Sequence, residues 1–105
     1  MNITQKLNEL NITIPSSITP IANYVGTRKI DRKIYVSGQL PIISGELKYT
    51  GKVGKDVSIE DAIEAAQICA INIFSQLQSI LSNELDELES CVKLTVFINA
   101  VEGFA

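Results

Sequence analysis

The feature that most constrains the fold is a helical pattern of apolar side chains over residues 58–82. Ser58 is a natural N-cap residue, and Asp61 occupies the third helical position, which is close to a capping box. Glu60 and Glu64 add negative charge where the helix dipole favours it. We therefore predict a helix from Ser58 to about Ser82. Its apolar stripe comprises Ala62, Ala66, Cys69, Ala70, Ile73, Phe74, Leu77, Ile80 and Leu81.

Patterns typical of strands lie on both sides of this helix. Residues 21–30 and 33–40 are rich in β-forming side chains, and residues 30–33 suit a turn between two antiparallel strands. Residues 91–100 alternate between apolar and polar side chains, which predicts a strand with one apolar face. A strand that follows a crossover helix normally pairs in parallel with right-handed connectivity. The order therefore predicts an α/β (α+β) domain with a mixed sheet.

The remaining segments complete the predicted organisation. Residues 2–10 have the spacing of a short amphipathic helix, and a loop with Pro15 and Pro20 follows it. We expect residues 1–18 to form an N-terminal helix and loop, and residues 19–105 to form the main domain. The chain stops just after the predicted strand at 91–100, so we expect this domain to be incomplete at its C-terminus.

The 105 residues include no histidine, which excludes several kinds of site within this chain. A Ser-His or Cys-His nucleophile pair and any histidine-containing zinc site are ruled out. The two cysteines cannot form a structural zinc site alone, and in a reducing compartment they are expected to be free thiols. Catalysis must use carboxylates, Tyr, Lys, thiols, backbone dipoles or residues from another chain.

Charge is distributed unevenly around a formal net charge of −3. Residues 28–55 carry seven basic and two acidic side chains, whereas residues 56–105 carry nine acidic side chains and one basic. The basic region is either a solvated surface or an attractant for anionic ligands. Aromatic residues do not interleave with it, so nucleic acid is not expected as a partner. Without a secretory signal or a run of about 20 apolar residues, we expect a cytoplasmic protein with no membrane contact.

Local chemistry singles out a few polar positions without deciding their role. Ser37-Gly38-Gln39 follows a predicted strand directly, and a glycine bend of this kind either cradles an anion or simply ends the strand. Asn99 ends the last predicted strand, where its amide can bond a ligand or a nearby backbone group. Tyr24 lies on the first predicted strand, where a tyrosine is more often a core or interface residue.

The ordered combination of these segments resembles the RidA/YjgF family, which is also described as endoribonuclease L-PSP-like. The match covers residues 20–105, and it resembles the branch with an added N-terminal helix. The segments that carry it are Pro20 to Val25, Ile34 to Pro41, Thr50 to Gly54, Ala62 to Ala66, Cys69 to Asn72 and Val92 to Asn99.

The resemblance implies a chorismate-mutase-like fold, with a mixed sheet and helices packed on one face. It implies a homotrimer with ligand clefts between subunits. The archetypal members are enamine/imine deaminases that convert reactive intermediates to 2-keto acids and ammonia, and they use no metal or cofactor of their own. By resemblance, Ser37 and Gly38 help to hold ligand and water, whereas Tyr24, Gln39 and Asn99 are substrate-binding positions.

The family's catalytic arginine and its downstream glutamate have no counterpart within residues 1–105. We therefore carry two main hypotheses. The first is a RidA-like protein that binds a small carboxylate metabolite and hydrolyses an enamine or imine. The second is a non-catalytic module of the same fold that binds small molecules or proteins. RNA cleavage is a third idea for this family, and the net negative charge and missing histidine weigh against it.

Overall fold

The computed structural model describes residues 2–15, 26–82 and 84–104. These residues form a mixed α+β fold, which confirms the predicted fold class. The elements, in chain order, are helix α1 (Ile3–Glu9), strands β1 (Thr27–Ile30), β2 (Lys33–Val36), β3 (Ile42–Ile43) and β4 (Glu46–Leu47), helix α2 (Ile59–Ile80) and a short 3₁₀ helix (Leu85–Glu87).

Both helices begin as the sequence predicts. In α2 the backbone N–H of Asp61 donates to Ser58 Oγ at 3.1 Å, so Ser58 is the N-cap. In α1, Asn2 and Gln5 form a reciprocal capping box. These side chains satisfy backbone donors that would otherwise have no partner in the first turn. The predicted N-cap of α2 is therefore confirmed, whereas the capping box of α1 was not predicted, although apolar spacing placed that helix correctly.

The strands form two small antiparallel hairpins. In the first, β1 pairs with β2 with Arg28 opposite Tyr35, and the predicted turn at residues 31–32 connects them. In the second, β3 pairs with β4 across Ser44 and Gly45, which both have positive φ. This conformation is typical of a two-residue type I′ hairpin turn. The observed strands are shorter than predicted: residues 37–40 are not in a strand, and residues 21–25 lie outside the described residues.

The strand predicted over residues 91–100 is not found in the part of the chain that the structure describes. Residues 91–99 have no strand assignment, and Ala100 forms only an isolated parallel bridge with Val53. Phe97 is 93% exposed and Val92 is 87% exposed. Alternating side chains favour a strand only where a neighbouring backbone supplies ladder hydrogen bonds, and the described residues offer only the contact at Val53. Of the predicted parallel pairing, the described residues show only the bridge between Val53 and Ala100.

Helix α2 joins the other elements. It packs against β1, β2, β3 and the 3₁₀ helix, and α1 packs against the 3₁₀ helix. Thr4 holds α1 there, because its backbone N–H donates to Asp86 Oδ1 at 2.9 Å and its hydroxyl donates to both carboxylate oxygens of Asp86. The predicted boundary after residue 18 falls outside the described residues and stays a prediction.

The apolar core is small. The buried apolar side chains among the described residues are Val53, Val57, Ile68, Leu81 and Leu85. The accessible surface is 8114 Å², whereas a compact monomer of this mass exposes about 5,800 Å². Much of the apolar surface therefore remains in contact with solvent.

The buried face of α2 differs from the predicted stripe. Its buried residues are Ile68, Asn72, Ser75 and Gln76, whereas Ala66 and Ala70 of the predicted stripe are exposed. Three of the four buried side chains are polar. They can be buried because polar side chains with hydrogen-bond partners avoid most of the desolvation cost. Periodicity alone could not identify this face.

Replacing the N-cap tests how far α2 depends on its start. We expect Ser58→Ala to lower the free energy of unfolding by about 0.5–2 kcal/mol, because the Asp61 N–H loses its acceptor. Ser58→Asp is the matched control, since a carboxylate at this position can accept the same hydrogen bond. Urea unfolding followed by circular dichroism measures both. Equal stability of the Ala and Asp variants would contradict the role assigned to this cap.

Candidate functional site

The Ser37–Gln39 segment, which we call the Ser37–Gln39 turn after its predicted form, directly follows β2 and has no regular turn or bend conformation. The backbone N–H of Ser37 donates to the carbonyl oxygen of Gly26 at 2.9 Å, and the Ser37 hydroxyl donates to the same oxygen at 3.1 Å. Gln39 Nε2 donates to the carbonyl oxygen of Ser37 at 3.1 Å. Three of the predicted site residues, Ser37, Gly38 and Gln39, therefore share one segment, whose position is set by Gly26 just before β1.

This turn also presents backbone donors. Gly38 is exposed, and a Cβ added to it would meet no heavy atom within 4 Å. Within the described part of the chain, the backbone N–H groups of Gly38 and Gln39 donate to no protein acceptor. Residues 37–40 form neither a turn nor a bend, and Gly38 does not have a positive φ, so no concave nest is observed here. A backbone N–H without a protein acceptor can still donate to an anion. The turn can therefore receive a carboxylate without a charged side chain of its own.

Asn99 serves a different segment. Its side-chain Nδ2 donates to the backbone carbonyl oxygen of Gly51 at 3.2 Å. Its backbone carbonyl oxygen accepts a hydrogen bond from the Val53 N–H at 2.9 Å. Asn99 therefore attaches its segment to the loop before α2. Of the two predicted roles for its amide, the bond to a nearby backbone group is the one observed. The hydrogen bonds of Ser37 and Asn99 go to separate parts of the chain. Tyr24, the remaining predicted site residue, lies outside the described residues.

A cleft of about 420 Å³ lies beside the turn, and the sequence did not predict it. It lies between α2, the β3–β4 hairpin and the residues Thr13 and Pro15, and Gln39 contributes to its wall. The lining residues are Thr13, Pro15, Gln39, Ile42, Ile43, Ser44, Gly45, Ile68, Ile71, Asn72, Ser75 and Gln76. The sequence feature that could have indicated this cleft is the group of polar residues Asn72, Ser75 and Gln76, which interrupts the apolar pattern of α2.

Asn72 and Ser75 hold the walls of this cleft together. Asn72 Nδ2 donates to the carbonyl oxygens of Leu40 and Ile42, each at 3.0 Å. The Ser75 hydroxyl donates to the carbonyl oxygen of Pro15 at 2.7 Å. Asn72 and Ser75 are 9% and 4% exposed, respectively, and the three bonds are partly buried. The cleft is thus built by α2 and not by the loops alone.

The described titratable groups with shifted pKa values are outside the cleft lining. Burial raises the pKa of the Cys69 thiol, which makes it a poor nucleophile at neutral pH. Tyr49 donates its hydroxyl to the Glu64 carboxylate at 2.7 Å, and this hydrogen bond raises the Tyr49 pKa. No group of three potential metal-ligating His, Cys, Asp or Glu side chains occurs among the described residues. No described helix is long and apolar enough to cross a bilayer.

Comparison with known proteins supports the fold. The chain is 33% identical over 102 residues to Protein TCP17 of Trypanosoma cruzi, covering 97% of this chain and 63% of that protein. No protein-family model matches the sequence. Since the match covers 63% of Protein TCP17, the chain spans less than two thirds of that relative's length.

Two crystal structures share the architecture. A protein of unknown function from Agrobacterium tumefaciens matches with a TM-score of 0.68 and 41% identity, covering 78% of this chain and 49% of that one. A putative endoribonuclease from Shewanella oneidensis MR-1 matches with a TM-score of 0.72 and 22% identity, covering 78% of this chain and 54% of that one. The described α+β arrangement is therefore similar to an endoribonuclease-like fold.

A pair of glycine variants tests the geometry at the two candidate segments. Gly51, which accepts the Asn99 bond, has a φ of 122°, and a Cβ there would collide with the Asp56 side chain. We expect Gly51→Ala to destabilise the fold by about 1–3 kcal/mol. Gly38→Ala is the matched control, and we expect it to change stability by less than about 0.5 kcal/mol, because its Cβ would enter open space. Chemical denaturation measures both, and equal losses would contradict this geometry.

Proposed function

We propose that the chain is a RidA/YjgF-type protein that binds a small carboxylate metabolite at the Ser37–Gln39 turn and hydrolyses a reactive enamine or imine there. The observation that carries this proposal is the pair of backbone N–H groups at Gly38 and Gln39 that have no acceptor among the described residues, next to a serine whose position is fixed. Similarity to the fold of an endoribonuclease-like structure supports the family assignment.

The electrostatics of the first hairpin favour an anion. Arg28, Lys29 and Lys33 are exposed on β1 and β2, close in sequence to the turn. Their positive field raises the local concentration of a carboxylate, and the N–H groups then fix its orientation. The proposed role of Gln39 is to shape the turn, because its side-chain amide holds the Ser37 carbonyl.

The proposed chemistry is addition of water to the imine carbon. The carbon–nitrogen bond of the adduct then breaks, which releases a 2-keto acid and ammonia, and one water is consumed for each imine. Ser37 already donates its hydroxyl proton to Gly26, so its oxygen can accept a hydrogen bond from the attacking water. We therefore assign Ser37 to orienting water and not to nucleophilic attack. The proposed reaction uses no cofactor.

The proposed setting is the cytoplasm. Cys69 and Cys91 are both free thiols, and Cys91 is exposed. Free cysteines of this kind persist where glutathione and thioredoxin keep thiols reduced.

An assay of imine hydrolysis tests the activity. The substrate is 2-aminoacrylate, generated in situ by a pyridoxal-phosphate enzyme, and the readout is the rate of 2-keto acid release above the buffer rate. We expect wild-type protein to accelerate release and Ser37→Ala to lose about a hundredfold of that acceleration, because water is no longer positioned. Ser79→Ala, an exposed serine of α2, is the matched control and should retain the wild-type rate.

The same assay separates the two hypotheses. Equal rates for wild type, Ser37→Ala and buffer would overturn imine hydrolysis for this substrate. Crystals soaked with a 2-keto acid would then show whether the turn binds carboxylates without turnover. A carboxylate on the Gly38 and Gln39 N–H groups would support the non-catalytic module.

Association of three copies belongs to the same proposal. Apolar side chains of the segment 92–98 are exposed in the single chain, and their burial between subunits would be favourable. We expect light scattering to give about three times the chain mass of 11.5 kDa. Phe97→Asp should lower that mass, whereas Leu10→Asp, at another exposed apolar position, should not. A wild-type mass equal to one chain would contradict the trimer.

A further inference from the structure

We propose that the cleft between α2, the β3–β4 hairpin and Pro15 binds a small uncharged molecule that donates hydrogen bonds from an apolar body, as a primary amide does. This site is separate in chemistry from the proposed carboxylate site. It does not depend on imine hydrolysis, and the Ser37–Gln39 turn enters it only through the side chain of Gln39.

The hydrogen-bonding groups that remain free in the cleft include two acceptors. Asn72 commits its side-chain N–H groups to two carbonyl oxygens, and its Oδ1 accepts no hydrogen bond among the described residues. Gln39 uses Nε2 on Ser37, and its Oε1 is likewise without a protein donor. Neither oxygen is fully buried, since the described residues contain no buried unsatisfied side-chain atom, and both residues line the cleft. A ligand that donates hydrogen bonds would satisfy both oxygens.

The part of the lining that the described residues form is electrically neutral. None of the twelve lining residues carries an ionisable side chain. An ion that entered would lose hydration without gaining an opposite charge, which costs far more than the transfer of a neutral amide. The cleft therefore selects against carboxylates and ammonium groups, in contrast to the Ser37–Gln39 turn.

The shape of the cleft suits a compact molecule. Its volume of about 420 Å³ lies toward the lower end of the range for small-molecule sites. Ile42, Ile68 and Ile71 supply apolar contact surface, and Ile68 is buried. An apolar body against these side chains, with a donor group directed at Asn72, uses both kinds of surface. This division is typical of ligand pockets, in which a few polar groups set orientation.

Three probes of nearly equal shape test the proposal on the full chain. Benzamide is neutral and donates hydrogen bonds, acetophenone replaces its amino group with a methyl group, and benzoate carries a charge. We expect benzamide to bind with a Kd on the order of 1 mM, as is usual for a fragment of this size. Acetophenone should bind about tenfold more weakly because it lacks the donors, and benzoate should not bind in the cleft.

Two-dimensional ¹H–¹⁵N NMR titration reports both affinity and location. Benzamide should shift the backbone amide signals of cleft residues such as Ile71 and Ser75, and the shifts should saturate. Ile71→Trp fills the cleft and should weaken benzamide at least about tenfold. Ile63→Trp makes the same change on α2 at an exposed position outside the cleft, and it should bind benzamide normally.

A second blocking variant protects the test against a folding defect. Thr13 is an exposed residue of the cleft lining and lies outside any helix or strand, so Thr13→Trp should also weaken the binding of benzamide. The proposal is overturned if benzamide produces no saturable shifts up to about 10 mM. It is equally overturned if benzoate binds there as well as benzamide, or if both cleft variants keep wild-type affinity. Loss or retention of imine hydrolysis does not affect this result.

Discussion

The structure depends on one buried amide, that of Asn72 on α2. Its two hydrogen bonds capture the carbonyl oxygens of Leu40 and Ile42, which lie where the chain passes from the first hairpin to the second. One turn further along α2, Ser75 captures the carbonyl oxygen of Pro15 in the same way. These bonds are partly buried, so loss of either side chain would remove a partly shielded hydrogen bond to the backbone. Polar anchors thus hold the elements together where an apolar core is small.

This arrangement explains how the candidate sites are positioned. The Asn72 anchor fixes the backbone just after Gln39, and the bonds from Ser37 to Gly26 fix the backbone just before it. The residues between these two anchors can remain exposed, with backbone N–H groups that have no acceptor among the described residues, because hydrogen bonds on both sides hold the segment in place. Asn72 also lines the cleft, so one side chain contributes both to the backbone after the proposed carboxylate site and to the proposed site for an uncharged ligand.

Much of the secondary structure could be predicted because it depends on local chemistry. Ser58 caps α2, Asn2 and Gln5 cap α1, and residues 31–32 turn the first hairpin, each by interactions within a few residues. The turn predicted at Ser37–Gln39 is not found, because Gly38 does not adopt the positive φ that its residue type permits. The segment 91–100 was not predictable, since alternation describes the side chains of a strand but cannot supply the neighbouring backbone that a strand needs.

The sequence by itself therefore determined the helices, the turn of the first hairpin and the exclusion of histidine chemistry, all of which depend on residue type and short spacing. Only the tertiary structure decided which face of α2 is buried, that Asn99 serves the backbone of Gly51, and that a neutral cleft exists. These features arise from contacts between residues about 30 to 60 positions apart, such as Asn72 with Leu40 and Ser75 with Pro15. In the sequence, a polar residue such as Asn72 only interrupts the apolar pattern of a helix. Its hydrogen-bond partner is identified only in the folded chain.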